Sequence, residues 1–205
     1  MSYENRIPDN TKKEGKRHLS ASSIGLFSRC PEAYRRRYVE GDKGKTNIAM
    51  VKGKAFHAAV EASMNSKIET GFDLPMKELD VIVNDTMSDG ISECKDEDND
   101  GEHAKGVRHQ VMFHKANQAP DYHPTQTEIP FRIELDSCEH DFVGYIDMIG
   151  TLSETGKPVI VDWKTARKKP AKSSQHDSLQ LTGYYASQAA ELGKDVELRL
   201  DHIVS

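Results

Sequence analysis

Between Phe142 and Thr165, apolar and polar positions alternate along two β-rich runs. The runs are separated by the turn formers Ser153, Glu154, Thr155, Gly156 and Lys157, a pattern that predicts a hairpin. With Glu154 and Thr155 at its centre, facing positions have numbers that sum to 309, so Thr151 faces Pro158 and Asp147 faces Asp162. Side chains alternate along a strand, which sets Lys164 on the face that carries Asp162. Two carboxylates and a lysine therefore converge amid Ile146, Met148, Val159, Val161 and Trp163. Acids in a buried sheet are costly unless they are partnered. A bound divalent cation would offset that cost.

The rest of the pattern supplies the surroundings of this hairpin. Ser20 is a candidate N-cap for a helix with Ile24, Phe27 and Cys30 or Pro31 at helical spacing. Pro31 starts a second helix after a bend, with Tyr34 and Tyr38 on one face and Arg35, Arg36 and Arg37 around the rest. Two readings of that helix stand side by side: a solvated basic helix with an aromatic core stripe, or a phosphate-gripping face. The next helix begins at Ile48 or Met50 and places His57 and Glu61 at i and i+4, with Gly53 one turn before His57. Further helices are predicted over Met76 to Met87, after Pro75, and over residues 104 to 118. A strand follows at Glu128 to Leu135. After the hairpin come a basic run from Ala166 to Lys172, a helix from about Asp177 to Leu192 closed by Gly193, and a last strand, VELRLDHIV. Gln180 and Tyr184 share a face of that helix.

These elements predict an α/β fold: a central mixed β-sheet flanked by helices, with an N-terminal helical segment. The expected organisation is a flexible basic arm over residues 1–18 and a single domain over residues 19–205. A chain that stops on an uncovered strand also raises the expectation of a truncated C-terminus.

At 205 residues the chain is long enough for one real core. It has no apolar run of bilayer length and no apolar signal core, so an intracellular, cytoplasmic protein is expected. Cys30, Cys94 and Cys138 are widely spaced and form no CxxC, which argues against a disulfide framework or a complete zinc site. The net charge of -5 hides a segregation. Residues 1–60 carry 13 Lys/Arg against 6 Asp/Glu, whereas residues 61–140 carry 7 against 18. A positive first segment beside clustered acids suits a phosphate-tracking, cation-binding protein. The acidic stretch 93–102 matches half of a calcium loop through Asp96, Asp98, Asp100 and Gly101, but Val107 stands where a bidentate glutamate is required.

Taken together, G-x-x-x-H at Gly53 to His57, G-x-I-D at Gly144 to Asp147, D-W-K at Asp162 to Lys164 and Q-x-x-x-Y at Gln180 to Tyr184 resemble the PD-(D/E)XK nuclease superfamily. The N-terminal S-x-S-x-x-x-x-F-x-x-C-P-x-x-Y, Ser20 to Tyr34, is similar to its RecB-type clade, which includes the AddB nuclease domain and CRISPR-associated exonucleases. The resemblance implies a restriction-endonuclease-like core in which His57, Asp147, Asp162 and the backbone carbonyl of Trp163 hold magnesium or manganese. It gives Lys164 the task of positioning or activating the attacking water. Gln180 and Tyr184 would orient Lys164 and the scissile phosphate, and Glu128 or Glu61 would be an additional acid. Arg35, Arg36, Arg37, Lys52, Lys54, Arg167, Lys168 and Lys169 are the basic residues expected to contact DNA.

Many members of this clade bind an iron–sulfur cluster through one N-terminal and three C-terminal cysteines. Here only Cys30 matches, so no cluster is expected in this chain. The implied activity is a metal-dependent DNA nuclease, an exonuclease acting on ends or single strands in recombination, repair or phage- or CRISPR-type DNA processing, with a helicase or recombination partner and no membrane. The alternative is a non-catalytic DNA-binding or assembly subunit that keeps the fold.

Overall fold

The computed structural model describes residues 18–42, 44, 46–92, 94, 100–136, 139–166 and 178–204. Arg167, Lys168, Lys169, Cys138 and most of the acidic stretch 93–102 lie outside these residues. The central element is a five-stranded mixed sheet with helices on both faces, as the sequence pattern predicts. Its longest strands are β2 (Tyr122–Ile133) and β3 (Asp141–Leu152), antiparallel neighbours along nearly their whole length. β3 turns into β4 (Pro158–Ala166), which pairs in parallel with β5 (Glu197–Val204). A two-residue strand, β1 (His18–Leu19), runs parallel to the start of β3. His18, expected at the end of the arm, is therefore part of the sheet.

The two edges of β3 differ, and this difference creates the site. One edge is covered by β2. Along the other, β1 pairs with Asp141 and Phe142, and β4 pairs with Met148 to Thr151. Between these pairings, Val143, Gly144, Tyr145 and Asp147 line a cleft of about 720 Å³.

Three helices cover one face: α3 (Ile48–Thr70), α4 (Met76–Ile91) and α5 (Asp100–Asn117). Their core includes Val51, Phe56, Val60, Leu79, Val107 and Val111 and closes on Met148, Val161 and Trp163 of the sheet. Asn47 caps the start of α3 through its side chain, and Gly71 ends it in the left-handed conformation. On the opposite face, α6 (Leu179–Leu192), capped by Ser178, packs Leu181 and Tyr184 against Ile146, Ile149 and Ile160.

The N-terminal segment folds as expected up to Pro31. α1 (Ala21–Arg29) carries a capping box between Ser20 and Ser23, and α2 (Pro31–Tyr34) starts on the proline. The chain then widens into a single π-helical turn, Arg35–Val39, which residue periodicity does not reveal. β2 also differs from expectation, beginning at Tyr122 rather than near Glu128. The 3-10 turn Ala119–Asp121 feeds straight into the ladder with β3 and places Pro124 at an irregularity in its register. Among the described residues, no helix is long and apolar enough to cross a membrane.

Candidate active site

The β3–β4 register follows the sum of 309 from Thr151↔Pro158 to Met148↔Val161 and then stops. At the next position the strands part, and the Asp147 carboxylate takes over the role of the ladder: its Oδ2 accepts a hydrogen bond from the Trp163 N–H at 2.8 Å. The acid thus satisfies a backbone donor that the splayed strands would otherwise orphan.

A second irregularity lies directly across β3. Thr127 pairs with Met148 and Ile129 with Ile146, so Glu128 stands opposite Asp147. Glu128 has φ +49, a left-handed conformation that is unfavourable for a residue with a long side chain. Strand alternation reverses at this pair. Thr127 Oγ1 donates to Asn65 Oδ1 of α3 at 2.7 Å, yet Ile129 packs on the α6 side. Likewise Met148 lies in the α3 to α5 core, whereas Ile146, two residues away, lies in the core beneath α6. This double reversal lets both acids reach the cleft, with backbone strain spent at one residue.

His57 arrives from α3 with Nδ1 3.6 Å from Asp147 Oδ2. Ligand atoms of His57, Glu128 and Asp147 all lie within 4.8 Å of one another. Burial holds the His57 imidazole below its usual pKa, and the nearby Lys164 charge adds to the effect, leaving a neutral ring suited to ligation. A backbone hydrogen bond with Trp163 acts in the opposite sense. Burial, with the charge of Asp162 alongside, pushes the Asp147 carboxyl well above the usual carboxylate range. Glu61, one turn beyond His57, adds to that repulsion. Gathered acids that repel one another beside a neutral imidazole fit a hard divalent cation, which would reverse the cost of ionising them.

Asp162 is fully buried and stands beside this group rather than within it. Its Oδ1 accepts the Tyr184 hydroxyl at 3.0 Å, and Lys164 Nζ lies 2.9 Å from its Oδ2. Gln180 Nε2 donates in turn to the Tyr184 hydroxyl oxygen at 2.5 Å. The Tyr184 ring is locked edge-on against Phe131, with centroids 5.6 Å apart. Lys164 keeps 40 % of its side-chain surface and faces the cleft, which Gln180 and Tyr184 also line.

The remaining sequence candidates take different places. Lys54 lines the cleft. The Lys52 ammonium is close to Gly106 of α5. Arg35 and Arg36 are exposed and engaged with Glu32, and Arg35 also pairs with Glu40. Arg37 lies over the Tyr38 ring.

His202 carries no signal in the sequence pattern. The parallel β4–β5 register sets it beside Lys164, and its ring nitrogens are buried without a hydrogen-bond partner among the described residues. Burial lowers its pKa against the pull of Asp162. Only the register of two strands joined by a long crossover would have pointed to it.

The family model of the PD-(D/E)XK nuclease superfamily matches residues 18–200, a span that contains every residue of this site except His202. No curated protein matches the chain.

Proposed function

The chain belongs to the PD-(D/E)XK nuclease superfamily, and from that premise we propose that it is a magnesium- or manganese-dependent deoxyribonuclease of the RecB type, working as an exonuclease in DNA recombination, repair or related processing alongside a helicase or recombination partner. The observation that carries the reading is the juxtaposition of two groups at one cleft: the His57, Glu128 and Asp147 cluster, and Lys164, Tyr184 and Gln180, which line the cleft and are joined through buried Asp162.

His57, Glu128 and Asp147 would hold the cation, with Asp162 and the Trp163 carbonyl as the further ligands implied by family resemblance. When bound, a divalent cation acidifies water and counters the charge developing on a phosphate. Lys164, anchored by Asp162 but open to the cleft, orients the attacking water and offsets charge on the phosphoryl oxygens. Tyr184 and Gln180 fix the Asp162 carboxylate, and the Trp163 N–H fixes that of Asp147, so the acids do not have to reorganise during the reaction. Water adds to phosphorus and gives up a proton, the bond to the leaving oxygen breaks, and that oxygen takes up a proton in return, so that H and OH are added across the broken bond.

The test is cleavage of DNA labelled at either end, in linear and circular forms, by the parent protein and by Asp162→Asn and Lys164→Ala. Progressive loss from ends of linear DNA, with circles intact and both variants inactive, supports the reading. Cleavage of circles would replace exonuclease by endonuclease action, and equal activity of the variants would remove the proposed site.

A further inference from the structure

Phe27, Tyr34 and Tyr38 form a ladder of rings along α1, α2 and the π turn. Phe27 and Tyr34 meet edge-on with centroids 5.4 Å apart, and Tyr34 and Tyr38 lie 5.1 Å apart. Large rings normally end in a core, but Phe27 is 53 % and Tyr38 44 % exposed, and neither belongs to a core cluster of the sheet. Half-buried Tyr34 spaces the two outer rings. The aromatic stripe read from the sequence is therefore a surface feature.

Arginines accompany it. The Arg37 guanidinium sits 5.9 Å from the centroid of the Tyr38 ring, and the exposed Arg35 and Arg36, on the same short segment, pair with Glu32. Such exposed ion pairs contribute little to stability, so exchanging a carboxylate partner for a phosphate is cheap. The ladder begins on the helix whose first residues line the cleft. Ser20, Ala21 and Ser22, at the start of α1, line the same cavity as His57, Asp147 and Lys164. Phe27 follows Ser22 by five residues, about 7.5 Å along the helix.

Exposed rings interleaved with guanidinium groups match one kind of partner closely. Aromatic faces take unstacked bases, and guanidinium groups take the phosphates between them or stack on the bases themselves. A duplex keeps its base faces hidden, so it gains only the phosphate contacts. We propose that the Phe27–Tyr34–Tyr38 ladder is a base-stacking platform that holds single-stranded DNA and leads it along α1 into the cleft. This rests on the reading of the chain as a DNA nuclease, and it adds the place and the chemistry by which a single strand is chosen.

The experiment is fluorescence anisotropy with a labelled single-stranded oligonucleotide and with its duplex, in EDTA so that nothing is cut. Phe27→Leu and Tyr38→Leu, both at exposed positions, should each weaken single-strand binding roughly 5- to 150-fold, the equivalent of 1–3 kcal/mol per stacked base, with duplex binding unchanged. Phe27→Tyr should retain binding. The leucine variants should keep the parent's dependence of affinity on salt, whereas Arg37→Gln should flatten it. Crosslinking of the unmodified protein to an iododeoxyuridine-substituted strand should place adducts on Phe27 or Tyr38.

Unchanged single-strand affinity in both leucine variants would overturn the platform, as would equal losses for duplex or adducts confined to other surfaces. A parent dimer that Phe27→Leu converts to monomer without altering DNA binding would make the ladder a self-association face instead. Cleavage assays run in parallel separate this inference from its premise. A protein that cuts DNA but binds normally after both leucine substitutions loses the platform and keeps the nuclease. One that grips single strands through the ladder but cuts nothing keeps the platform and loses the nuclease.

Discussion

Asp147 Oδ2 accepts the Trp163 N–H at 2.8 Å at the point where the β3–β4 ladder ends. One carboxylate thus closes the sheet and faces the cleft. Its burial makes ionisation costly in the metal-free protein, and an amide at this position could still accept the same hydrogen bond. Asp147→Asn is therefore expected to raise the melting temperature of the metal-free protein while abolishing cleavage. Thermal melts in EDTA and a cleavage assay check the two halves, and a lower melting temperature would show that the charge is already compensated.

Glu128, across β3 from Asp147, bears the backbone strain. Glycine adopts φ +49 freely and alanine does not, so the usual order of these residues in a strand should invert. Glu128→Gly is expected to be more stable than Glu128→Ala by about 1 kcal/mol in denaturant titrations, with both losing activity.

The hairpin and the helix that frame this cleft are legible in the sequence. The hairpin register follows from its turn residues, since five polar turn formers between alternating runs leave little choice of pairing, and α3 with His57 follows from helical spacing. The ladder's end one pair short of Asp147 and Asp162 was not legible. Beyond that point β3 pairs with β1 and β4 with β5, each a parallel pairing between segments distant in sequence. The reversal at Glu128 was hidden for a related reason. Alternation assumes an unbroken pleat, and a glutamate in the left-handed region carries no compositional mark. The helix of Tyr34 and Tyr38, readable as a solvated basic helix with an aromatic core stripe or as a phosphate-gripping face, is resolved only by what packs on its rings, which are not part of either core.

Tyr184 links Asp162 to Gln180, and its ring is held by Phe131 independently of the hydroxyl. Tyr184→Phe should preserve packing but leave a buried carboxylate oxygen short of a donor, at a cost of about 1–3 kcal/mol in stability. Activity should fall by about 10- to 100-fold, as for other groups that support ligands from behind. Steady-state kinetics and denaturant titration of the same preparation measure both.

His114 of α5 is 2 % exposed, edge-on to Trp163, and its pKa is lowered by burial to about 4. The native ring stays neutral where the unfolded one protonates, so between its unfolded value near 6.5 and about 4 the unfolded chain binds more protons. This group's contribution to stability is present above that window and lost as pH falls through it. Asp147, with a raised pKa, acts in the opposite sense, favouring the native state toward low pH in the absence of metal. His114→Phe should therefore lose less stability than the parent on acidification from pH 6.5 to 4, measured by denaturant titration across that range.

Gly150 of β3 has no room for a side chain, because a Cβ there would lie 2.4 Å from the backbone oxygen of His123. Backbone cannot rotate aside as a side chain can, so Gly150→Ala is expected to destabilise by at least about 1–3 kcal/mol and to disturb the β2–β3 register that delivers Glu128 to Asp147. Melting temperature and metal affinity should fall together.

If His57, Glu128 and Asp147 hold the cation on which cleavage depends, metal binding and cleavage stand or fall with the same side chains. Manganese titration followed by calorimetry, alongside DNA cleavage in the same buffer, tests it most directly. Expected are saturable binding by the parent, activity that rises with occupancy, and loss of both in His57→Ala and Asp147→Asn folded as judged by circular dichroism. Undiminished manganese binding or cleavage in those two variants would contradict it.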